Sequence, residues 1–242
     1  MRRFAELYAA LDATTRTAGK LAALEAYLRS AEPADAAWAV RLLMGRKPRQ
    51  AVPTARLRRW AAEEAGIADW LFAACYETVG DFAETIALVL PAAVTETHEP
   101  LHRWMQRLPG LKGLSEPDQR AQVVAAWRSL EGSRRFVWNK LITGGFRVGV
   151  SQKLVTRALS RVSGVAEGVI AHRLMGAWEP APDAFARLLS AQTDDADASR
   201  PYPFCLAGPL AGDPEPLGPV ADWQAEWKWD GIRAQLIRRR GE

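Results

Sequence analysis

Ser115-Glu-Pro-Asp-Gln-Arg-Ala-Gln-Val-Val-Ala-Ala-Trp-Arg-Ser-Leu130 is the clearest helical pattern in this chain. Ser115 followed three residues later by Asp118 is typical of a capping box, and Pro117 suits the first turn of a helix. The apolar residues after this start recur at helical spacing: Val123, Val124, Trp127 and Leu130. The stretch therefore predicts an amphipathic α-helix that buries one face.

The same helical period extends from residue 1 to about residue 191. The apolar faces are Phe4/Leu7/Tyr8/Leu11, Leu21/Leu24/Tyr27/Leu28, Leu57/Trp60, Phe82/Ile86/Val89, Leu101/Trp104/Met105/Leu108 and Phe185/Leu188/Leu189. Ser133 and Ser151 are predicted to cap two further helices. Because no repeat of fixed length is visible, the sequence predicts an irregular, mainly α, multi-helix domain over residues 1–191.

The composition changes between residues 192 and 222. Prolines occupy positions 201, 203, 209, 214, 216 and 219, with glycines at 208, 212 and 218. Proline lacks the N–H that a helix interior needs, so this segment is predicted to be a linker.

Residues 223–242 show a period of two instead of a helical period. Ile232, Ala234 and Leu236 alternate with more polar neighbours, and an Asp230-Gly231 turn precedes them. This pattern predicts a short β-hairpin. A two-stranded hairpin alone is marginally stable in water, so the segment is interpreted as the start of a larger, incomplete β-rich domain.

The bulk composition is that of an ordinary soluble globular protein. The 242 residues are 48% hydrophobic and 25% charged, and no apolar run has the length of a membrane span. The N-terminus does not resemble a signal peptide, and the two cysteines lack metal or redox spacing. We therefore expect a cytoplasmic protein.

The formal net charge is only +4, but the basic residues are clustered. One group comprises Arg46, Lys47, Arg49, Arg56, Arg58 and Arg59, and a second comprises Arg134, Arg135, Lys140, Arg147, Lys153 and Arg157. Such clusters suit phosphate contacts, although a solvated basic face is the alternative interpretation.

Glu226-Trp-Lys228-Trp-Asp230-Gly231-Ile-Arg233 is the one segment that indicates covalent chemistry. In a strand, alternate residues share a face, so the charged side chains would line one side and the tryptophans would form a core on the other. A lysine amine that is partly dehydrated can act as a nucleophile. The alternative is a solvated Glu-Lys-Asp edge on a hairpin.

Lys228-Trp-Asp230-Gly231-Ile-Arg233 resembles the Lys-x-Asp-Gly-x-Arg motif of ATP-dependent DNA ligases, RNA ligases and mRNA capping enzymes. Three other stretches resemble bacterial ATP-dependent DNA ligases in particular: residues 80–90, 141–151 and 200–207. The resemblance spans the whole chain, whereas capping enzymes lack such a helical N-terminal domain. The chain is therefore identified as similar to the N-terminal part of a bacterial ATP-dependent DNA ligase.

This resemblance implies a reaction that uses ATP and Mg²⁺ to seal nicks in duplex DNA during replication, repair or recombination. Lys228 would carry AMP, Glu226 would recognise adenine, and Arg233 would contact the nucleotide. Asp230 and Gly231 would complete the ATP-binding set. The family also implies a monomer in the bacterial cytoplasm, associated with the nucleoid.

A glycine-rich basic loop is the candidate DNA contact. Glycines free the backbone of residues 143–151, and a helix that begins after Ser151 can direct its first N–H groups at a phosphate. The candidate contacts are Lys140, Thr143, Gly145, Arg147, Gly149, Ser151, Lys153 and, in a weaker loop, Arg46. The alternative is a plain turn between helices with solvated basic residues.

Three further expectations follow. The 242 residues lack the later adenylation motifs and the OB-fold domain of the family, so the chain is expected to bind DNA but not to ligate alone. A non-catalytic helical module for DNA or protein is the rival interpretation.

His98-Glu-Pro-Leu-His102 fits a zinc pattern, but Pro100 would interrupt the helix that a zinc site requires, so no metal site is predicted within this chain.

Overall fold

The computed structural model describes residues 1–175, 178–192, 210, 212–223, 227, 231 and 234–238. Within these ranges the chain forms helices and no strand, so the mainly helical prediction is confirmed. The α-helices are α1 (Arg2–Asp12), α2 (Thr17–Ser30), α3 (Pro33–Leu43), α4 (Thr54–Ala65), α5 (Asp69–Val79), α6 (Phe82–Val89), α7 (Leu101–Leu111), α8 (Glu116–Ser129), α9 (Gly132–Ile142), α10 (Gln152–Ser163), α11 (Glu167–Arg173) and α12 (Pro182–Leu189).

The predicted helix starts can be checked one by one. The Ser115 hydroxyl accepts a hydrogen bond from the Asp118 N–H at the start of α8, and Ser151 caps α10 in the same way. The prediction that Ser133 is an N-cap is wrong, because α9 begins at Gly132. The N-cap position is taken by Glu131, and no side chain caps this helix.

One continuous core joins the helices. Its largest fully buried side chains include Trp60, Trp127 and Trp138. The rings of Trp104 and Trp138 meet edge to face, with centroids 4.9 Å apart. Helix α2 packs against α1 and α10, α9 packs against α1 and α6, and α3 packs against α7 and α12. This arrangement brings the ends of α3 and α9 and the start of α10 to one region of the surface.

Arg135 is a buried part of this framework rather than a surface cation. Its guanidinium donates to the carbonyl oxygens of Leu130 at 2.8 Å and Pro91 at 2.8 Å, among others. Burial lowers the pKa of Arg135, with a nearby acid, Glu131, opposing that shift. The side chain therefore joins the start of α9 to the chain segments that follow α8 and α6.

The region predicted to be a linker is described only in part. Residues Glu215–Leu217 and Val220–Asp222 form single 3-10 turns, and the Trp223 indole donates to the Leu217 carbonyl oxygen at 2.8 Å. Residues 234–238 have no regular secondary structure, and most other positions of the predicted hairpin lie outside the described residues. The hairpin and the boundaries at residues 191 and 222 stay predictions. No described helix has the length and apolar character needed to cross a membrane.

Candidate nucleic-acid interface

Two basic loops that are distant in sequence lie side by side. One comprises residues 45–50 after α3, and the other comprises residues 143–151 between α9 and α10; together they are called the loop pair. The Ala51 N–H donates to the Ile142 carbonyl oxygen at 2.9 Å, next to both loops. The Gln152 amide donates to the Met44 carbonyl oxygen at 2.9 Å. These bonds fix the first loop against the second.

Gly144 of the second loop lies against the backbone of the first loop. Its φ is +68°, a left-handed conformation that side chains disfavour. A Cβ placed there would lie 3.1 Å from the Gln50 nitrogen and 3.2 Å from the Pro48 carbonyl oxygen, both backbone atoms. The first glycine of the Gly144-Gly145 pair is therefore required by the contact between the loops.

The second loop alternates between buried and exposed side chains. Phe146 and Val148 are buried, and the Phe146 ring stacks on Phe4 with centroids 5.7 Å apart. Arg147 lies between these two anchors, and its side chain is exposed. The loop thus presents Arg147 to solvent from an anchored backbone.

Two hydrogen bonds from neighbouring helices hold the backbone of this loop. The Tyr8 hydroxyl of α1 donates to the Arg147 carbonyl oxygen at 2.7 Å, and Lys20 of α2 donates to the Gly149 carbonyl oxygen at 2.7 Å. Burial and nearby carboxylates, Asp12 first among them, raise the pKa of Tyr8 to about 12. Tyr8 therefore remains a protonated donor at neutral pH.

The start of α10 completes this surface. The Ser151 hydroxyl accepts from the Leu154 N–H at 3.2 Å, which satisfies one of the helix's free amides. Gln152 and Lys153 are exposed in the first turn. The positive end of a helix dipole and a lysine therefore lie next to Arg147, an arrangement that favours an anion.

Four exposed cations of this surface have neither an acidic partner nor a side-chain hydrogen bond in the part of the chain that the structure describes. They are Lys47, Arg49, Arg147 and Lys153, and all four are exposed. Charges held this way are available to a phosphate backbone without breaking any ion pair of the protein.

The other predicted DNA contacts are placed differently. Lys140 forms an ion pair with Asp81, and its ammonium lies 5.3 Å from the Phe136 ring centroid. The Thr143 hydroxyl donates to the Asn139 carbonyl oxygen at 2.7 Å, and Arg46 donates to the Leu174 carbonyl oxygen at 2.8 Å. These three side chains hold the protein's own structure, while Gly145 is exposed in the loop.

Asp81 explains why Lys140 is engaged. Burial acts to raise the pKa of Asp81, but hydrogen bonds from Lys140 and from the Glu84 N–H outweigh it, so the pKa lies below its usual value. Asp81 is also the N-cap of α6. The Lys140–Asp81 pair therefore connects α9 to the start of α6.

The remaining clustered arginines are neutralised by acids. On α4, Arg56 contacts Glu116 at 3.0 Å, Arg58 contacts Asp69 at 2.6 Å, and Arg59 also contacts Glu116. Beyond α4, Arg134 pairs with Glu96 at 2.6 Å and Arg157 with Glu167 at 3.2 Å.

Several residues at this surface were missed by sequence reasoning. Tyr8, Lys20 and Gln152 support the loops through side chain to backbone bonds across 108 to 139 positions of sequence. No local pattern marks such partners, because they depend on how the helices pack.

The His98–His102 segment is explained by helix capping. Pro100 is the N-cap of α7 and the helix begins at Leu101, so His98 lies outside it, as predicted. Asp35 accepts from the Leu101 and His102 N–H groups at 3.0 and 2.9 Å and from His102 Nδ1 at 2.7 Å. Glu32, Asp35 and His102 lie close together, and both carboxylate oxygens of Asp35 already accept hydrogen bonds from the start of α7.

The lysine motif lies mostly outside the described residues. Glu226, Lys228, Asp230 and Arg233 are not described, and their predicted roles stay predictions. Gly231 is described, and no atom lies within 4 Å of a Cβ placed there. Trp223 and Trp227 are exposed, which contradicts the expectation that they form a core, because no described element covers them.

Comparison with known proteins identifies the class to which this helical fold belongs. Residues 1–160 match the family described as DNA ligase N terminus, so the chain belongs to that family. The prediction of a DNA ligase N-terminal region is thereby confirmed.

Two relatives are each named a probable DNA ligase. The protein of Anaeromyxobacter sp. (strain Fw109-5) is 30% identical over 147 residues, which cover 57% of this chain and 28% of that protein. The protein of Koribacter versatilis (strain Ellin345) is 26% identical over 252 residues, which cover 97% of this chain and 42% of that protein. This chain thus spans less than half the length of either relative.

Proposed function

We propose that this chain is the N-terminal region of a bacterial ATP-dependent DNA ligase and that the loop pair holds duplex DNA by its phosphates. The observation that supports this most strongly is the contrast among the cations. Arg49, Arg147 and Lys153 are exposed and unpaired within the described residues, whereas the α4 arginines contact acids. The chain belongs to a DNA ligase family, and DNA is a polyanion that these unpaired cations can bind.

The loop pair suits backbone contact rather than base readout. Its exposed groups are cations and the first turn of α10, which recognise phosphate. Contacts of this kind position a protein on a duplex without reading its sequence. An enzyme that seals nicks in any sequence needs this property. We propose that the protein binds as a monomer.

The direct test measures affinity for a nicked duplex by fluorescence anisotropy. Arg147→Ala removes an unpaired cation, and Arg58→Ala is the matched control because Arg58 pairs with Asp69. We expect Arg147→Ala to weaken binding severalfold for two duplexes of unrelated sequence, with Arg58→Ala near wild type. Equal affinity for all three proteins would refute the loop-pair site.

We further infer that Lys228 performs the covalent step of the complete ligase. Its neutral amine would attack the α-phosphorus of ATP, so that an N–P bond forms while the bond to the bridging oxygen breaks and pyrophosphate leaves. The AMP would pass to the 5′-phosphate at a nick, and the 3′-hydroxyl would displace it to form the phosphodiester. Mg²⁺ would neutralise phosphate charge when bound.

The other motif residues have separate proposed roles. Glu226 would recognise adenine, Arg233 would contact the nucleotide, and Asp230 would position the phosphates. Gly231 would let the backbone approach the nucleotide closely. These assignments rest on the motif and on membership of the DNA ligase family.

We propose that the 242 residues alone bind DNA but do not adenylate themselves. Incubation with α-labelled ATP and Mg²⁺ separates the two activities. We expect no covalent label on the protein, although it still shifts a nicked duplex. A label that Lys228→Ala abolishes would contradict this and would also remove the rival interpretation of a non-catalytic module.

A further inference from the structure

A cleft opens beside the loop pair, between α3, α7 and the segment that joins α3 to α4. Its volume is ≈ 340 Å³, and we call it the Trp38 cleft. The apolar residues of its lining, called the floor, are Trp38, Met105, Leu108 and Pro109. Met105 and Leu108 are buried. Trp38 is half-buried, and the Arg41 guanidinium lies against its ring, 5.9 Å from the centroid, so a base would meet the part of the indole that Arg41 leaves uncovered.

The rim of the Trp38 cleft is cationic. Lys47, Arg49 and Lys112 line it, and each is exposed without an acidic partner in the described part of the chain. The two other cations in the lining are engaged with the protein. Arg41 contacts Glu179 at 3.0 Å, and Arg46 donates to the carbonyl oxygens of Leu174 and Trp178. Three rim charges are therefore left for an anion.

An apolar floor and a cationic rim together match a nucleotide better than a small inorganic anion. The floor offers nothing to phosphate, but it can bury the face of a base, and bases stack on aromatic side chains whatever their identity. The volume lies in the range of small-molecule sites. The rim would then contact the phosphates on either side of that base.

The first loop of the loop pair connects it with this cleft, because residues 46–50, Arg49 among them, belong to both. A strand whose duplex part lies on the loop pair can therefore place an adjoining unpaired nucleotide at the cleft. We propose that the Trp38 cleft holds one unpaired nucleotide of a DNA strand, with its base on the floor and its phosphates at the rim. This inference rests on the proposed DNA-binding function and adds a preference for DNA with an unpaired end or flap.

The test compares a duplex with the same duplex that has a three-nucleotide unpaired tail containing 2-aminopurine. In the wild-type protein we expect the tail to tighten binding about tenfold and its fluorescence to be quenched on contact with Trp38. Trp38→Ala should abolish the quenching and the gain while plain-duplex affinity stays the same. Trp70→Ala is the matched control, because this tryptophan of α5 is 71% exposed and does not line the cleft.

A second variant tests the proposal even if Trp38→Ala does not fold. Lys112 is exposed at the rim and lies outside the loop pair, so Lys112→Ala should reduce the gain from the tail about threefold and leave folding and plain-duplex affinity unchanged. A tail that gives no gain in the wild type would overturn the proposal. So would displacement of the tail by submillimolar AMP, which would assign the cleft to a free nucleotide.

The experiment distinguishes a failure of the loop-pair proposal from a failure of the cleft proposal. If plain duplex does not bind, the unpaired oligonucleotide is measured alone. Quenching that Trp38→Ala removes would then support the cleft without the loop pair, and its absence would overturn the cleft as well.

Discussion

Helix α4 and the loop pair are both rich in positive charge, but only the loop pair has cations without partners. Arg56, Arg58 and Arg59 crowd into four positions of α4, yet each contacts Glu116 or Asp69. Arg49, from the same basic cluster of the sequence, and Arg147 remain unpaired among the described residues. The density of basic residues along a sequence therefore does not indicate which of them can reach a ligand.

The difference arises from where the acids lie in the fold. Glu116 begins α8, 57 positions after Arg59, and packing of α8 on α4 brings its carboxylate to two arginines. Within the described residues no acid pairs with Arg49 or Arg147, and the bonds from α1, α2 and α10 to this region are made to backbone carbonyl oxygens. Carbonyl contacts hold the loops in place without neutralising Arg49 and Arg147.

The largest effect is expected at an arginine that is buried rather than paired. Arg135→Ala leaves several carbonyl oxygens without donors and should lower the free energy of unfolding by about 3–4 kcal/mol. Urea denaturation measures this loss. Arg58→Ala, the exposed α4 control, should cost less than about 1 kcal/mol. Similar losses for both variants would remove the distinction between structural and solvent-facing arginines.

Charge reversal across both loops should give the next largest effect. Arg49→Glu/Arg147→Glu replaces two attractions to phosphate with two repulsions and should weaken nicked-duplex binding about 100-fold at low salt. Anisotropy titration checks the affinity, and thermal unfolding checks that the variant stays folded. A loss of only twofold in a folded protein would place the DNA elsewhere.

The contact between the loops can be tested at its glycine. Gly144→Ala forces a left-handed conformation and a Cβ against backbone atoms of the other loop, so we expect a loss of about 2 kcal/mol and weaker duplex binding. Gly45→Ala is the matched control, because its φ is +82° but no atom lies within 4 Å of the added Cβ. It should cost about 1 kcal/mol. Equal effects would mean that only backbone strain matters at Gly144.

The smallest effect concerns Lys140. Lys140→Met should change duplex affinity little in an anisotropy titration, because Lys140 pairs with Asp81. The pKa of Asp81 is lower in the folded protein than its ordinary value of 3.8. The ionised Asp81 carboxylate therefore stabilises the fold above pH 3.8, and this stabilisation is lost as the pH falls through the pKa of the folded state.

Asp81→Asn checks that sign. The free energy of unfolding of wild type relative to Asp81→Asn should fall as the pH drops below about 4. A constant difference over that range would contradict the assigned pairing.

The sequence predicted the helices well because their signals are local. Helical periodicity identified the faces of α1 and α8, and Ser115 and Ser151 cap the helices where they were expected. The prediction for Ser133 failed because α9 begins one residue before it, at Gly132, and a residue's preference for the cap position does not fix where a helix starts.

The candidate site was predicted less completely. The exposure of Arg147 and Lys153 and the Ser151 cap of α10 agree with the pattern of a glycine-rich basic loop before a helix, which is local, while their contact with DNA stays a prediction. Arg46 and Lys140 were grouped with the free cations because their partners, Leu174 and Asp81, come from distant segments. Nothing near Lys112 in sequence indicates that it lines a cleft with Arg49.

The salt dependence of nicked-duplex binding tests most directly whether the loop pair, rather than α4, contacts phosphates. The logarithm of the association constant falls with the logarithm of salt concentration by about 0.9 for each phosphate contact. We predict that Arg49→Ala/Arg147→Ala makes this slope shallower by about 2, whereas Arg58→Ala/Arg59→Ala leaves it at the wild-type value. An unchanged slope in the loop variant together with a shallower slope in the α4 variant would contradict the account.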